Sequence, residues 1–159
     1  MSTEVQEAIK RSLETEKNAM HFYQHGAELF KDPAACRTFT LLAKEEREHA
    51  SHFYKIYKGN DIASFDAFVD APSEAEGCWA KVLSADFNAQ KVMEIALENE
   101  KNLEEALLDL AARMSDPEVK AIYEMNAKET HNHYLLIEAE YARLMGMVDE
   151  SEMDTFVRE

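Results

Sequence analysis

Leu13-Glu14-Thr15-Glu16-Lys17-Asn18 returns 84 residues later as Leu97-Glu98-Asn99-Glu100-Lys101-Asn102, and that return decides the fold. The same offset carries Asp32-Pro33 onto Asp116-Pro117 and Ala43-Lys44-Glu45 onto Ala127-Lys128-Glu129. It also carries His49 onto His133 and Tyr57 onto Tyr141, with no gap. One such match between Glu-rich helices is chance, but four blocks in one register are a repeat. The repeat predicts two equivalent units related by a pseudo-two-fold axis. Each unit divides at its Asp-Pro, since Pro is accepted at the first position of a helix and breaks its interior. Each unit is therefore a helical hairpin.

Outward from these blocks, Ser2 or Thr3 caps a first helix. Its stripe is Val5, Ile9, Leu13, Ala19, Met20, Tyr23, Ala27 and Phe30. Asp32 caps the second helix, with Pro33 at its first position. That helix runs to about Tyr57, with Phe39, Leu42, Phe53 and Ile56 on its buried side, and Lys58-Gly59-Asn60-Asp61 ends it. The third helix spans about Phe87 to Met114 and the fourth about Pro117 to Met147. Residues 58–86 contain Gly59, Pro72, Gly77 and Trp79 and no long helical period. They are expected to be an extended crossover with short helical pieces, in which Trp79 is a packing anchor. The expectation is one all-α domain over 1–148. Hairpins at about 2–57 and 87–147 form a four-helix bundle, followed by an acidic tail at 149–159 with Phe156 and Val157 as its anchors.

Composition agrees. Among 159 residues there are only four glycines and three prolines, so turns are few. Hydrophobic residues make up 46%, which argues against disorder despite 32 acidic residues against 17 basic ones. A net charge of −15 argues against nucleic-acid and anionic-membrane partners, which need a basic footprint. No apolar run approaches the ~20 residues that span a bilayer. No signal peptide is apparent, and Glu4 and Glu7 would spoil one, so a cytoplasmic location is expected. Cys36 and Cys78 are too few and too far apart for a cysteine metal site and read as reduced thiols. The eight methionines read as gap-fillers.

Chemistry enters with Glu46-Arg47-Glu48-His49. Glu46 and His49 are three apart and share one helix face. That face also carries Leu42 and Phe53. A Glu and a His turned into a core cost several kcal/mol each if unpaired, roughly as for any buried polar group. Metal coordination is the usual solution in helical bundles. Glu16 lies on the stripe of the first helix with Met20 and Tyr23, the repeat puts Glu100 at the same place on the third, and His133 repeats His49 on the fourth. Glutamates on helices one and three with Glu-x-x-His on two and four are the pattern of bundles that hold two metal ions in carboxylates. Carboxylate and imidazole donors suit Fe or Mn. Tyr23 is either a core tyrosine or a hydrogen-bonding group beside the metal. His21, His25, His52 and His131 fall off the inner line, on the surface or behind the ligands.

These stretches resemble the ferritin-like superfamily and, within it, the rubrerythrin-type di-iron domain. The resemblance is carried by Glu16-Lys17-Asn18-Ala19-Met20-His21-Phe22-Tyr23, by Ala43-Lys44-Glu45-Glu46-Arg47-Glu48-His49, and by their two repeats. It implies that Glu16 binds one iron, that Glu46 bridges both while His49 binds one, and that Glu100 and His133 act likewise in the second half. Three departures stand out. The second bridging glutamate would fall at Thr130, for which Glu129 or Glu104 are the candidate substitutes. No four-cysteine rubredoxin-type site is present. The counterpart of Tyr23 is Leu107. The resemblance implies an oxidoreductase acting on peroxide or oxygen, with two irons, or one if the bridge is not replaced, and with Mn or Zn as alternatives. It further implies a homodimer and a separate electron-donor protein. A metal-binding, iron-handling protein with a partial site and little turnover is the second reading. A metal-free bundle that mediates interactions is the third.

Overall fold

The helices begin and end where short-range chemistry sets them. A computed structural model describes residues 2–73, 83 and 87–146. Among the described residues, five helices run in the order α1 (Thr3–Leu29), α2 (Pro33–Ile56), α3 (Phe65–Asp70), α4 (Ala89–Arg113) and α5 (Pro117–Gly146). Ser2 caps α1 by accepting from the Val5 N–H, and Asp32 caps α2 by accepting from Ala35 N–H at 2.8 Å. Asp116 repeats this on α5, accepting from the Glu118 and Val119 N–H groups. These side chains satisfy backbone donors that the first turn of a helix leaves without partners. Trp79, Cys78 and the acidic tail lie outside the described residues.

Buried positions then follow an alternation of threes and fours. On α2 they are Phe39, Leu42, Glu46, His49, Phe53 and Ile56. On α5 they are Val119, Tyr123, Asn126, Thr130, His133 and Ile137. That spacing keeps one narrow seam facing inward along the whole helix. The seam of α1 runs through Ile9, Leu13, Glu16, Met20 and Tyr23, and that of α4 through Met93, Ala96, Glu100, Leu107 and Ala111. Helix α1 packs along α2, α4 along α5, and α2 meets α5 between the hairpins. The result is the ferritin-like bundle expected from the sequence. Every seam carries at least one polar residue near its middle, and the four seams bring these to one level.

Apolar packing closes the bundle on either side of that level. Phe39, Tyr23, Phe22 and Phe30 meet edge-on or tilted, with the Tyr23 and Phe39 centroids 5.1 Å apart. Each such side chain contributes about 1.5–3 kcal/mol by leaving water. Gly26 is required there, because a Cβ on it would sit 2.6 Å from the Phe39 ring. Helix α3 lies on the crossover and is held against α1 and α2. Val69 is fully buried, and its carbonyl is 2.6 Å from His21 Nε2. Arg47 reaches Asp66 and Asp70, and Lys17 Nζ lies 4.6 Å from the Phe68 ring centre. Asp66 and Asp70 are largely exposed, so these ion pairs are worth about 0–1 kcal/mol each and Val69 is the stronger anchor. His21, expected off the inner line, is buried, but against α3.

Candidate metal centre

Five of the residues singled out in the sequence come together at the middle of the bundle. Glu16, Glu46, His49, Glu100 and His133 are each between 0% and 3% exposed. The helical seams explain why. Glu16 replaces an apolar residue between Leu13 and Met20, and Glu46 and His49 do so between Leu42 and Phe53. The His49 and His133 rings, which are repeat partners, stack with centroids 5.1 Å apart and planes 15° from parallel.

Each imidazole turns its Nδ1 inward and its Nε2 to the rim. His133 Nδ1 is 2.9 Å from Glu46 Oε1 and 3.7 Å from Glu100 Oε1. His49 Nδ1 is 3.6 Å from both Glu16 Oε2 and Glu46 Oε2. At the rim, Glu45 Oε2 lies 2.7 Å from His133 Nε2, and Glu129 Oε2 lies 2.6 Å from His49 Nε2. Glu45 and Glu129 are repeat partners, so each hairpin lends a half-exposed carboxylate to the other hairpin's histidine. A carboxylate on the outer nitrogen fixes the ring and makes the inner nitrogen a better metal ligand. Glu45 was not singled out in the sequence, although its signal was there in Ala43-Lys44-Glu45 returning as Ala127-Lys128-Glu129.

This geometry bears on the missing bridge. Glu129 faces His49 Nε2, whereas Glu16 and Glu46 face the Nδ1 of the same ring. Glu104 is held by His131 on the outside, at 2.9 Å and 3.0 Å from Nδ1. Thr130 itself is fully buried and its hydroxyl has no hydrogen-bond partner. Tyr23 is both a core residue and part of the centre, because its hydroxyl donates to Glu100 Oε1 at 2.5 Å. His52 is partly buried and sits 3.1 Å from the Asn126 side-chain oxygen.

The electrostatics are those of a cation site holding protons. Burial pushes the Glu16 carboxyl well above its ordinary range, and the Glu46 charge pushes it further. Burial and Glu46 raise Glu100 in the same way. Burial also acts on Glu46, but its close neighbours Glu16, His133 and His49 outweigh it and hold Glu46 low. Burial disfavours charge on both histidines, yet the carboxylates overcome it. Glu16 and Glu46 raise His49 to about 11, and Glu100 and Glu46 raise His133 to about 10. Burial, then Glu100, raises the Tyr23 hydroxyl.

The donor set fits a transition-metal ion. Ligand atoms of Glu46, His49 and His133 lie within 4.8 Å of one another. Both Glu16 oxygens, Glu46 Oε2, Glu100 Oε2 and His49 Nδ1 are buried without a hydrogen-bond partner among the described residues. Native proteins pair nearly all such atoms, so this concentration at one point marks a place for a bound cation. Glu16 and Glu100 bring one carboxylate to each side, and Glu46 lies between the two histidines. Oxygen and nitrogen donors without sulfur suit Fe, Mn or Zn.

Comparison with known proteins agrees with this centre. A family model described as Rubrerythrin matches residues 7–141. The ferritin light chain of Bos taurus is 32% identical over 153 residues, covering 91% of this chain and 78% of that protein. Ferritin light chain 1 of Rattus norvegicus is 33% identical over 153 residues, covering 91% and 75%. No solved structure gives a significant match. No described helix is long and apolar enough to cross a membrane.

Proposed function

The chain belongs to the rubrerythrin family of the ferritin-like superfamily, and from that premise we propose that it is an iron-dependent oxidoreductase acting on peroxide or oxygen. Glu16, Glu46, His49, Glu100 and His133 would hold the metal. Bound iron would supply the redox couple and a Lewis acid for the oxidant. The observation that carries the reading is the set of buried carboxylate and imidazole atoms, gathered at one point, that have no hydrogen-bond partner among the described residues. Electrons would come from a donor outside these 159 residues, whose two cysteines cannot build a four-cysteine site.

The side chains have distinct tasks. Glu46, between the two stacked histidines, is the one carboxylate placed to serve both halves. Glu45 and Glu129 hold the rings so that Nδ1 points inward. Tyr23 keeps a proton on its hydroxyl and donates it to Glu100, which fixes that carboxylate and places an exchangeable proton beside the centre. The apolar layers through Leu13, Phe39, Phe53 and Leu107 exclude bulk water, which strengthens every charge interaction inside.

Peroxide consumption by protein loaded anaerobically with Fe(II) tests this reading. Turnover that depends on iron and drops at least about a hundredfold in His49→Ala would support it. Full iron loading without turnover would overturn the oxidoreductase and leave the second reading, an iron-handling protein. That reading is favoured by Thr130, which removes a bridging carboxylate, and by the similarity to ferritin light chains. Light scattering separates the two further, because storage needs a closed shell of many copies, whereas the oxidoreductase reading expects a homodimer.

A further inference from the structure

Helix α3 has a counterpart elsewhere in the sequence. Within Ser64-Phe65-Asp66-Ala67-Phe68-Val69-Asp70, the residues Asp66, Phe68 and Val69 return as Asp154, Phe156 and Val157 of Glu152-Met153-Asp154-Thr155-Phe156-Val157-Arg158. Asp61 returns as Asp149 in the same register, and Met153 takes the place of Phe65. The offset is 88, four more than in the bundle. The slip falls where α5 continues past Glu140, the position matching Ile56, and runs on to Gly146. The tail after α5 thus repeats the segment after α2.

In the first hairpin that segment has a seat, the outer face of α1 and α2. Phe68 lies over Lys17, Phe65 meets Tyr54, and Asp66 pairs with Arg47. Under this cover Lys17 is only 5% exposed. The bundle repeat sets Lys101, His131 and Glu138 on α4 and α5 where the first hairpin has Lys17, Arg47 and Tyr54, and all three are exposed. Leu135 matches Ser51, between Arg47 and Tyr54 on the seat, and is 47% exposed. Leu108, two turns along α4 from Lys101, is 52% exposed. Bare leucines gathered on one face mark a surface that something covers.

We propose that residues 153–158 dock on the outer face of α4 and α5 of their own chain, as α3 docks on α1 and α2. Phe156 lies over Lys101 and Asp154 against His131, as Phe68 lies over Lys17 and Asp66 against Arg47. Charge complements the seat as well. Asp70 becomes Arg158 in the tail, and the second face carries Glu105 and Glu138 where the first has His21 and Tyr54. The chain reaches, because the seven steps from Gly146 to Met153 span up to about 23 Å, whereas Leu135 lies about 16 Å back along α5. Lys17 and Lys101 directly follow Glu16 and Glu100, so each hairpin then has a strap behind its inward glutamate.

Hydroxyl-radical footprinting of the full chain tests this, with oxidation of each side chain read by mass spectrometry. Leu41 and Leu135 are almost equally exposed on the bundle, at 45% and 47%, and share one intrinsic reactivity. With the tail seated, Leu135 is oxidised more slowly than Leu41. Phe156→Asp combined with Val157→Asp should remove that protection and leave Leu41 unchanged. Leu135→Glu alters an exposed position, keeps the fold, and should speed the oxidation of Phe156. Leu135 that is oxidised as fast as Leu41 in wild type, with no response to the tail substitutions, overturns the proposal. Protection of Leu135 that disappears on dilution assigns the cover to a second copy and overturns docking within one chain.

Discussion

Tyr23 and Glu100 make the shortest polar contact at the centre, and the pair shows how a single hydroxyl can matter. Glu100 is nearly inaccessible to water, so losing Tyr23 leaves its oxygen only the longer 3.7 Å contact with His133 Nδ1. Tyr23→Phe keeps the ring packed on Phe39 and removes only the donor. It should lower the stability of the metal-free protein by about 1–3 kcal/mol, the cost of stranding a buried acceptor. A urea midpoint unchanged in Tyr23→Phe would show that Glu100 is held by other means. The identities of the inward residues were legible in the sequence, because Glu16 and Glu100 share a repeat register and His49 and His133 share another. The orientation of the imidazole rings was not. Sequence spacing gives a helix face but not which nitrogen points inward, and that alone decides that Glu129 faces the outer nitrogen of His49. Glu104 was ambiguous for a similar reason, since one turn from Glu100 can lead inward or, as here, out to His131.

The two hairpin turns offer a matched comparison between elements. Asp32 and Asp116 cap α2 and α5 in the same way, but Asp32 also pairs with Arg143 near the end of α5. That contact ties the start of one hairpin's second helix to the end of the other's. Asp116→Ala should cost about 1 kcal/mol, the usual value of a cap. Asp32→Ala should cost more, because the Arg143 contact goes as well, and thermal melts of the two variants compare them directly. Hydrogen bonds from Arg143 and the Ala35 N–H hold the Asp32 carboxyl below its ordinary 3.8. Its contribution is therefore present above pH 3.8 and is lost as the pH falls through the lower folded value. Equal costs for the two substitutions would mean that Arg143 adds nothing. The four long helices and their ends were readable from stripes, Asp-Pro pairs and capping residues. Helix α3 was foreseen only as a helical piece, since six residues are less than two turns and show no period. What fixes it is tertiary, namely Val69 in the core and His21 beneath its carbonyl.

For the molecule as a whole, the centre makes stability depend on pH in a direction that can be worked out. His49 is raised to about 11 and His133 to about 10, so without metal both keep protons that the unfolded chain loses above about 6.5. Glu16 and Glu100 are raised too, and likewise keep protons that the unfolded chain has lost. Wherever the folded state binds more protons, stability falls as the pH rises. The metal-free protein should therefore melt at a higher temperature at pH 6 than at pH 9. Co(II) should reverse that slope, because metal replaces the protons and binds more tightly as they leave. Melts that do not change between those two pH values, with and without metal, would contradict the charge arrangement described above.

Metal content after anaerobic loading with Fe(II), measured by elemental mass spectrometry on wild type and on Glu46→Ala, tests the central claim most directly. The account predicts stoichiometric iron in the wild type, up to two ions per chain, and its loss in a variant that keeps the helical fold. Iron absent from folded wild type, or held unchanged by Glu46→Ala, would contradict it.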